Sequence, residues 1–183
     1  MLQNWFEKGM TFEQYVEKME VNKEELLTIY NQTALTEEEH AFFVGLTNKP
    51  TKVIVLAADW CGDALLCIPV MKRIMEATAT DMRLLIRDEN LELMDQYLTN
   101  GTARAIPIFI FMDNEGTELA VWGPRSAYVQ DLVISLRSAL PPKDTPDFEA
   151  KVKEVHHTMK DKFLHDKTMT DSVIKSVQEK FMS

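Results

Sequence analysis

Val53-Ile54-Val55-Leu56-Ala57-Ala58 precedes Trp60-Cys61-Gly62-Asp63-Ala64, which opens an apolar-periodic segment ending near Ala79. The first run is continuous and rich in β-branched residues, the mark of a strand covered on both faces. The second carries apolar residues at helical spacing, at Ala64, Cys67, Ile68, Met71 and Met75. Strand, Trp-Cys-Gly, then helix places one thiol at the amino end of a helix, at the edge of a sheet. Unpaired N–H groups and the macrodipole at that end favour a thiolate over a thiol. The thiolate is the nucleophile of disulfide chemistry, so Cys61 reads as a reacting residue. The fourth position of a Cys-x-x-Cys falls on Ala64, so the chain has an attacking sulfur without the usual resolving one.

Outward from this centre the pattern alternates. Met82 to Arg87 reads as a second strand, Leu91 to Leu98 as a helix, and Ile106 to Met112 as another buried strand. Asp113-Asn114-Glu115-Gly116 supplies turn residues, so the strand before it and Glu118 to Trp122 form an antiparallel hairpin. A last core helix spans Pro124 to Leu140. The order β-α-β-α-β-β-α predicts an α/β fold around a four-stranded mixed sheet, with a right-handed crossover between the first two strands.

Both ends add helices. Before residue 48, Thr11 with Gln14 and Thr36 with Glu39 have the form of capping boxes, and Asn22 with Glu25 suggests a further start. After Pro141-Pro142, Thr145 reads as an N-cap with Pro146 at the first helical position. Phe148, Val152, Val155, Met159 and Phe163 form one stripe; Val173, Val177 and Phe181 form another after a break near Thr168 to Thr170. The organisation expected is an N-terminal helical extension over 1–48, a central domain over 50–140 and a C-terminal helical extension over 145–183.

Four landmarks resemble the thioredoxin-like superfamily. Trp60-Cys61-Gly62 matches its Trp-Cys-Gly, and Pro69 falls where thioredoxins carry the proline that kinks the active-site helix. Ile106-Pro107 is similar to the segment whose proline is cis and faces the active site, and Gly123 to the glycine that closes the last strand. The chain departs at Asp63 (proline in thioredoxins), at Ala64 (the second cysteine) and at Val55 (a buried carboxylate that helps deprotonate the resolving thiol). The last two losses are consistent, because without a resolving thiol that base has nothing to activate. The set resembles a bacterial branch with Trp-Cys-Gly-Asp in place of Cys-x-x-Cys.

The resemblance implies a three-layer fold with the strands in spatial order 2-1-3-4, and substrate contacts at Trp60, Gly62, Asp63, Ile106 and Pro107 around a catalytic Cys61. A cis proline opposite the cysteine would offer backbone groups to an extended substrate strand, and Trp60 an apolar partner surface. Asp63 reads either as an ordinary first-turn acid or as a proton-transfer group. The helix end lowers the Cys61 pKa and a charged Asp63 raises it, so their balance is open in the sequence. Cys67 lies on the core stripe. Six residues of helix rise about 9 Å, too far for a Cys61–Cys67 disulfide, which needs Cα atoms within about 7 Å.

Of the 183 residues, 20 are Lys or Arg and 29 Asp or Glu, a net charge of −9 that argues against nucleic acid or an anionic membrane as the main partner. The four histidines show no metal-binding spacing, and no cofactor is expected. Two cysteines and no signal-like start suit a reducing cytoplasm. The expected function is monothiol thiol–disulfide exchange. Cys61 forms a mixed disulfide with a client protein or a low-molecular-weight thiol adduct, and an external thiol resolves it. The alternative is a non-catalytic binding module in which Cys61 is a regulatory thiol. A cluster shared between two subunits, as in monothiol glutaredoxins, would need a glutathione-gripping pattern that is not recognisable here. A homo-oligomer is compatible with the apolar C-terminal stripes.

Overall fold

The computed structural model describes residues 1–183. Strands β1 (Lys52–Ala57), β2 (Asp81–Ile86), β3 (Ile108–Met112) and β4 (Glu118–Trp122) form one mixed sheet in the order β2-β1-β3-β4. β1 runs parallel to β2 and antiparallel to β3, and β3 pairs antiparallel with β4. Val53 to Ala57 are fully buried, as a central strand with both faces covered requires. This is the α/β sheet expected from the alternation of strand and helix patterns.

Four helices precede β1: α1 (Leu2–Lys8), α2 (Phe12–Lys18), α3 (Lys23–Gln32) and α4 (Glu37–Val44). Thr11 and Thr36 close capping boxes with Gln14 and Glu39, each satisfying orphan N–H groups from both sides. Asn22 does not cap α3 through its side chain. It sits at φ 60° and its amide donates to the Asp59 carbonyl at 2.8 Å.

The helix α5 (Gly62–Thr78) links β1 to β2 and runs through Pro69, with Cys61 at its N-cap. The segment read as a helix over Leu91 to Leu98 is shorter: a 3₁₀ turn at Arg87–Glu89 and then α6 (Leu91–Met94). Leu93 and Met94 are its buried residues, and Asp95 is drawn off to Arg104 at 2.6 Å. The chain then turns through left-handed Asn100 and Gly101.

The core helix α7 (Ala127–Ser138) begins after Pro124, because the Ser126 hydroxyl accepts the Val129 N–H and sets the cap. The last two helices are α8 (Phe148–His165) and α9 (Lys167–Met182). Thr145 does not cap α8; its hydroxyl donates to the Pro142 carbonyl, and the N-cap is Asp147. The break between α8 and α9 falls at Asp166, whose carboxylate accepts the Thr168 N–H, earlier than the apolar stripes alone suggest.

α3, α4, α8 and α9 all pack on α5, while α1 and α2 lie against β1 and β2. One cluster of 44 buried residues runs from Phe6 to Val177, so the terminal helices share the core of the sheet. Phe43 and Phe163 are buried within it, and Phe42 packs at its margin. Phe148 is half-buried at the start of α8.

Candidate functional site

The site is assembled from three connections. The first is the β1–α5 loop, fixed from the N-terminal side: the Asp59 carboxylate accepts the Glu20 and Val21 N–H groups at 2.8 and 3.3 Å. With the Asn22 amide on its carbonyl, Asp59 ties the α2–α3 connection to the residue before Trp60. Trp60 is 55% exposed, with the Arg87 guanidinium 4.9 Å from its ring centre. Gly62 is exposed beside it.

Cys61 follows, and here the structure adds a constraint. The residue is 9% exposed, and Sγ donates to the Ile106 carbonyl at 3.3 Å. Ile106 and Pro107 are both buried, and the peptide bond between them is cis. Gly123 takes φ 135° in the next connection, and a side chain there would run into the Pro107 carbonyl. The cysteine, the proline segment and the end of β4 thus meet at one end of the sheet, where β1 and β4 finish and β3 begins. The Ile106 carbonyl accepts the Cys61 thiol, and neither Ile106 nor Pro107 lines the cleft beside it.

The electrostatics centre on a pair that sequence reasoning missed. Arg125, in the β4–α7 connection, meets the Asp63 carboxylate at 2.5 Å, with side chains 19% and 12% exposed respectively. Burial pushes the Asp63 carboxyl above the usual range, while Arg125 pulls it down. Burial likewise raises the Cys61 thiol; the Ala64 N–H opposes it, Asp63 adds to the rise, and the Asp63 N–H and Arg125 oppose it. Desolvation therefore outweighs the helix end, which sequence could not weigh against it. Tyr15 packs in the same region with a buried hydroxyl that has no partner, and burial raises it further, with Asp59 and Cys61 contributing. The only sequence signal for Arg125 was a cation next to Gly123-Pro124, too common a pattern to single out.

Cys67 is fully buried, its thiol on the Pro124 carbonyl at 3.7 Å, and burial raises its pKa strongly. Both cysteines are free. No three His, Cys, Asp or Glu side chains are grouped to hold a metal ion, and no helix is long and apolar enough to cross a membrane.

Two measurements probe this arrangement. Alkylation of Cys61 by iodoacetamide should be slow at neutral pH and still climbing, roughly tenfold per pH unit, as the pH approaches 9.0, the ordinary cysteine value. Cys67 should stay unlabelled. A Cys61 rate that levels off near neutrality contradicts the raised pKa. Arg125→Met should cost about 2–4 kcal/mol in urea unfolding at neutral pH, because it strands a carboxylate that is 12% exposed. That penalty should shrink as the pH falls through the raised folded pKa of Asp63, where the carboxyl becomes neutral. Unchanged stability at neutral pH would count against a buried ion pair.

A cleft of about 510 Å³ opens here, lined by Trp60, Cys61 and Asp63 together with Arg125, Arg137 and residues of α8. A cysteine at a helix N-cap, a proline segment beside it and this sheet order together define a thioredoxin-fold protein. The chain belongs to the thioredoxin family: the family model described as Thioredoxin matches residues 9–139. Among curated proteins, none matches the chain. Two solved structures resemble it along nearly their whole length. One is a protein of unknown function from Pseudomonas aeruginosa, 14% identical, with TM-score 0.62 and 95% of each chain covered. The other is an HIV epitope-scaffold, 12% identical, with TM-score 0.63 and 97% of each chain covered. At these identities the likeness is one of fold.

Proposed function

We propose that this protein is a single-thiol thiol–disulfide oxidoreductase of the Trp-Cys-Gly-Asp type, working in a reducing compartment. The observation that carries the reading is the placement of Cys61 at the α5 N-cap, on the wall of a cleft and against the Ile106 carbonyl. The Cys61 thiolate attacks a disulfide and becomes disulfide-linked. Ala64 offers no second sulfur, so an external thiol must release it. The Ile106 carbonyl holds the thiol, Gly62 and Trp60 flank the exposed approach, and Asp63 pairs with Arg125 beside it, while Pro107 lies next to Ile106 outside the cleft lining. The test is to incubate reduced protein with a small symmetric disulfide and follow intact mass. The expected product is one adduct on Cys61, removed by added thiol.

The second reading, a non-catalytic binding module with Cys61 as a regulatory thiol, draws on the burial that raises the Cys61 pKa. It expects client binding that survives Cys61→Ser, and no adduct above the rate of an ordinary buried thiol.

A further inference from the structure

The cleft beside Cys61 has a charge opposite to that of the molecule around it. The chain carries a net charge of −9, yet Asp63 is the one acidic side chain among the lining residues. The other charged lining residues are Arg125, Arg137 and Lys160, and His156 and His157 add imidazoles. Asp63 is engaged by Arg125 and Lys160 by Glu25. Arg137, exposed on α7, takes part in none of the ion pairs of the molecule. An arginine with free donors presents a planar fork suited to a carboxylate. The cleft volume, about 510 Å³, is that of a small-molecule site, which spans roughly 300–1,000 Å³. Val133, Val155, Met159 and Phe163 supply an apolar lining.

We infer that the substrate of Cys61 is a disulfide of a small, carboxylate-bearing thiol, held in this cleft with Arg137 as the principal carboxylate contact. The inference rests on the exchange chemistry proposed above and names its substrate class. In the reaction the Cys61 thiolate attacks one sulfur of the disulfide. A Cys61–S bond to the small thiol forms, the original S–S bond breaks, and the other half leaves as a thiolate that takes a proton from water. An external thiolate then attacks the small-thiol sulfur. It forms a new disulfide and returns Cys61 as a thiolate, so the external thiol is oxidised as the Cys61 adduct is reduced. α8, which supplies His156, His157 and Lys160, makes the C-terminal extension part of the recognition wall.

The test uses three symmetric disulfides on the full reduced chain: dithiodipropionate with two carboxylates, hydroxyethyl disulfide with none, and cystamine with two ammonium groups. Adduct formation on Cys61 is timed by mass, and each rate is divided by that of the same disulfide with mercaptoethanol. The expected order is dithiodipropionate, hydroxyethyl disulfide, cystamine, with about tenfold between the first two. Arg137→Gln should cut that advantage below about threefold, and added salt should compress it. Equal normalised rates overturn the inference and leave the exchange reading standing. An advantage that survives Arg137→Gln intact also overturns it, since the carboxylate contact would then lie elsewhere. If none of the three forms an adduct on Cys61, the exchange reading fails and the inference with it.

Discussion

Cys61→Ser is expected to reduce mixed-disulfide exchange to the uncatalysed background, a loss on the order of a thousandfold. A serine hydroxyl is not appreciably ionised near neutrality and does not open disulfides, so no other group can inherit the step. Cys67→Ala is the paired control. Cys67 is fully buried in the core, so the substitution costs stability by leaving a small void but should leave exchange largely intact. The magnitude also decides between readings. If Cys61→Ser exchanges as fast as the parent, the oxidoreductase reading is wrong and the binding module takes its place. The buried thiol sharpens the test, because the raised Cys61 pKa makes the parent slow at neutral pH and faster above it. The difference between parent and variant should therefore widen with pH.

Deleting the residues after Pro142 should produce the largest stability effect. Met159, Phe163, Met169, Val173, Ile174 and Val177 are all buried, and they cover α5, α7 and β4. Burial of such a side chain contributes on the order of 1.5–3 kcal/mol, and a domain of this kind has only about 5–15 kcal/mol in total. Polar ties go as well: Trp122 Nε1 donates to the Ser176 hydroxyl at 3.0 Å, and Ser126 meets Ser172 at 2.9 Å. Phe111 loses the edge of Phe181, whose ring centre lies 5.0 Å away. The truncated chain should associate or melt at least about 10 °C lower. A soluble fragment with the parent melting temperature would show that these helices are appendages, and would also argue against the cleft wall that α8 supplies.

The sheet was legible because burial on both faces leaves a direct mark. A central strand such as β1 must be apolar at every position, and Val53 to Ala57 are. The capping boxes at Thr11 and Thr36 were legible for a similar reason, since both partners lie three residues apart and the chemistry is local. Local signals misled where a side chain had a distant claim on it. Asn22 looked like a cap and instead reaches across to Asp59, and Thr145 turns back to Pro142. The Leu91 to Leu98 pattern overran its helix because only Leu93 and Met94 find the core.

At the site, sequence alone was enough to place a cysteine at the start of α5, to show that no second cysteine follows at the fourth position, and to mark the Ile106-Pro107 segment. The first two are a matter of residue identity at a fixed offset along one strand–helix unit, and the third is a proline at the entry of a strong strand pattern. The ionisation of Cys61 was decided by tertiary structure. Desolvation depends on every element that closes over the thiol, and α5, β3 and the Arg125 connection meet only after folding. The same holds for the cationic cleft. Arg125, Arg137 and His156 lie far from Cys61 along the chain and become one wall only when α7 and α8 pack beside α5. Pairwise charge and burial are properties of distance in space, and the sequence records only distance along the chain.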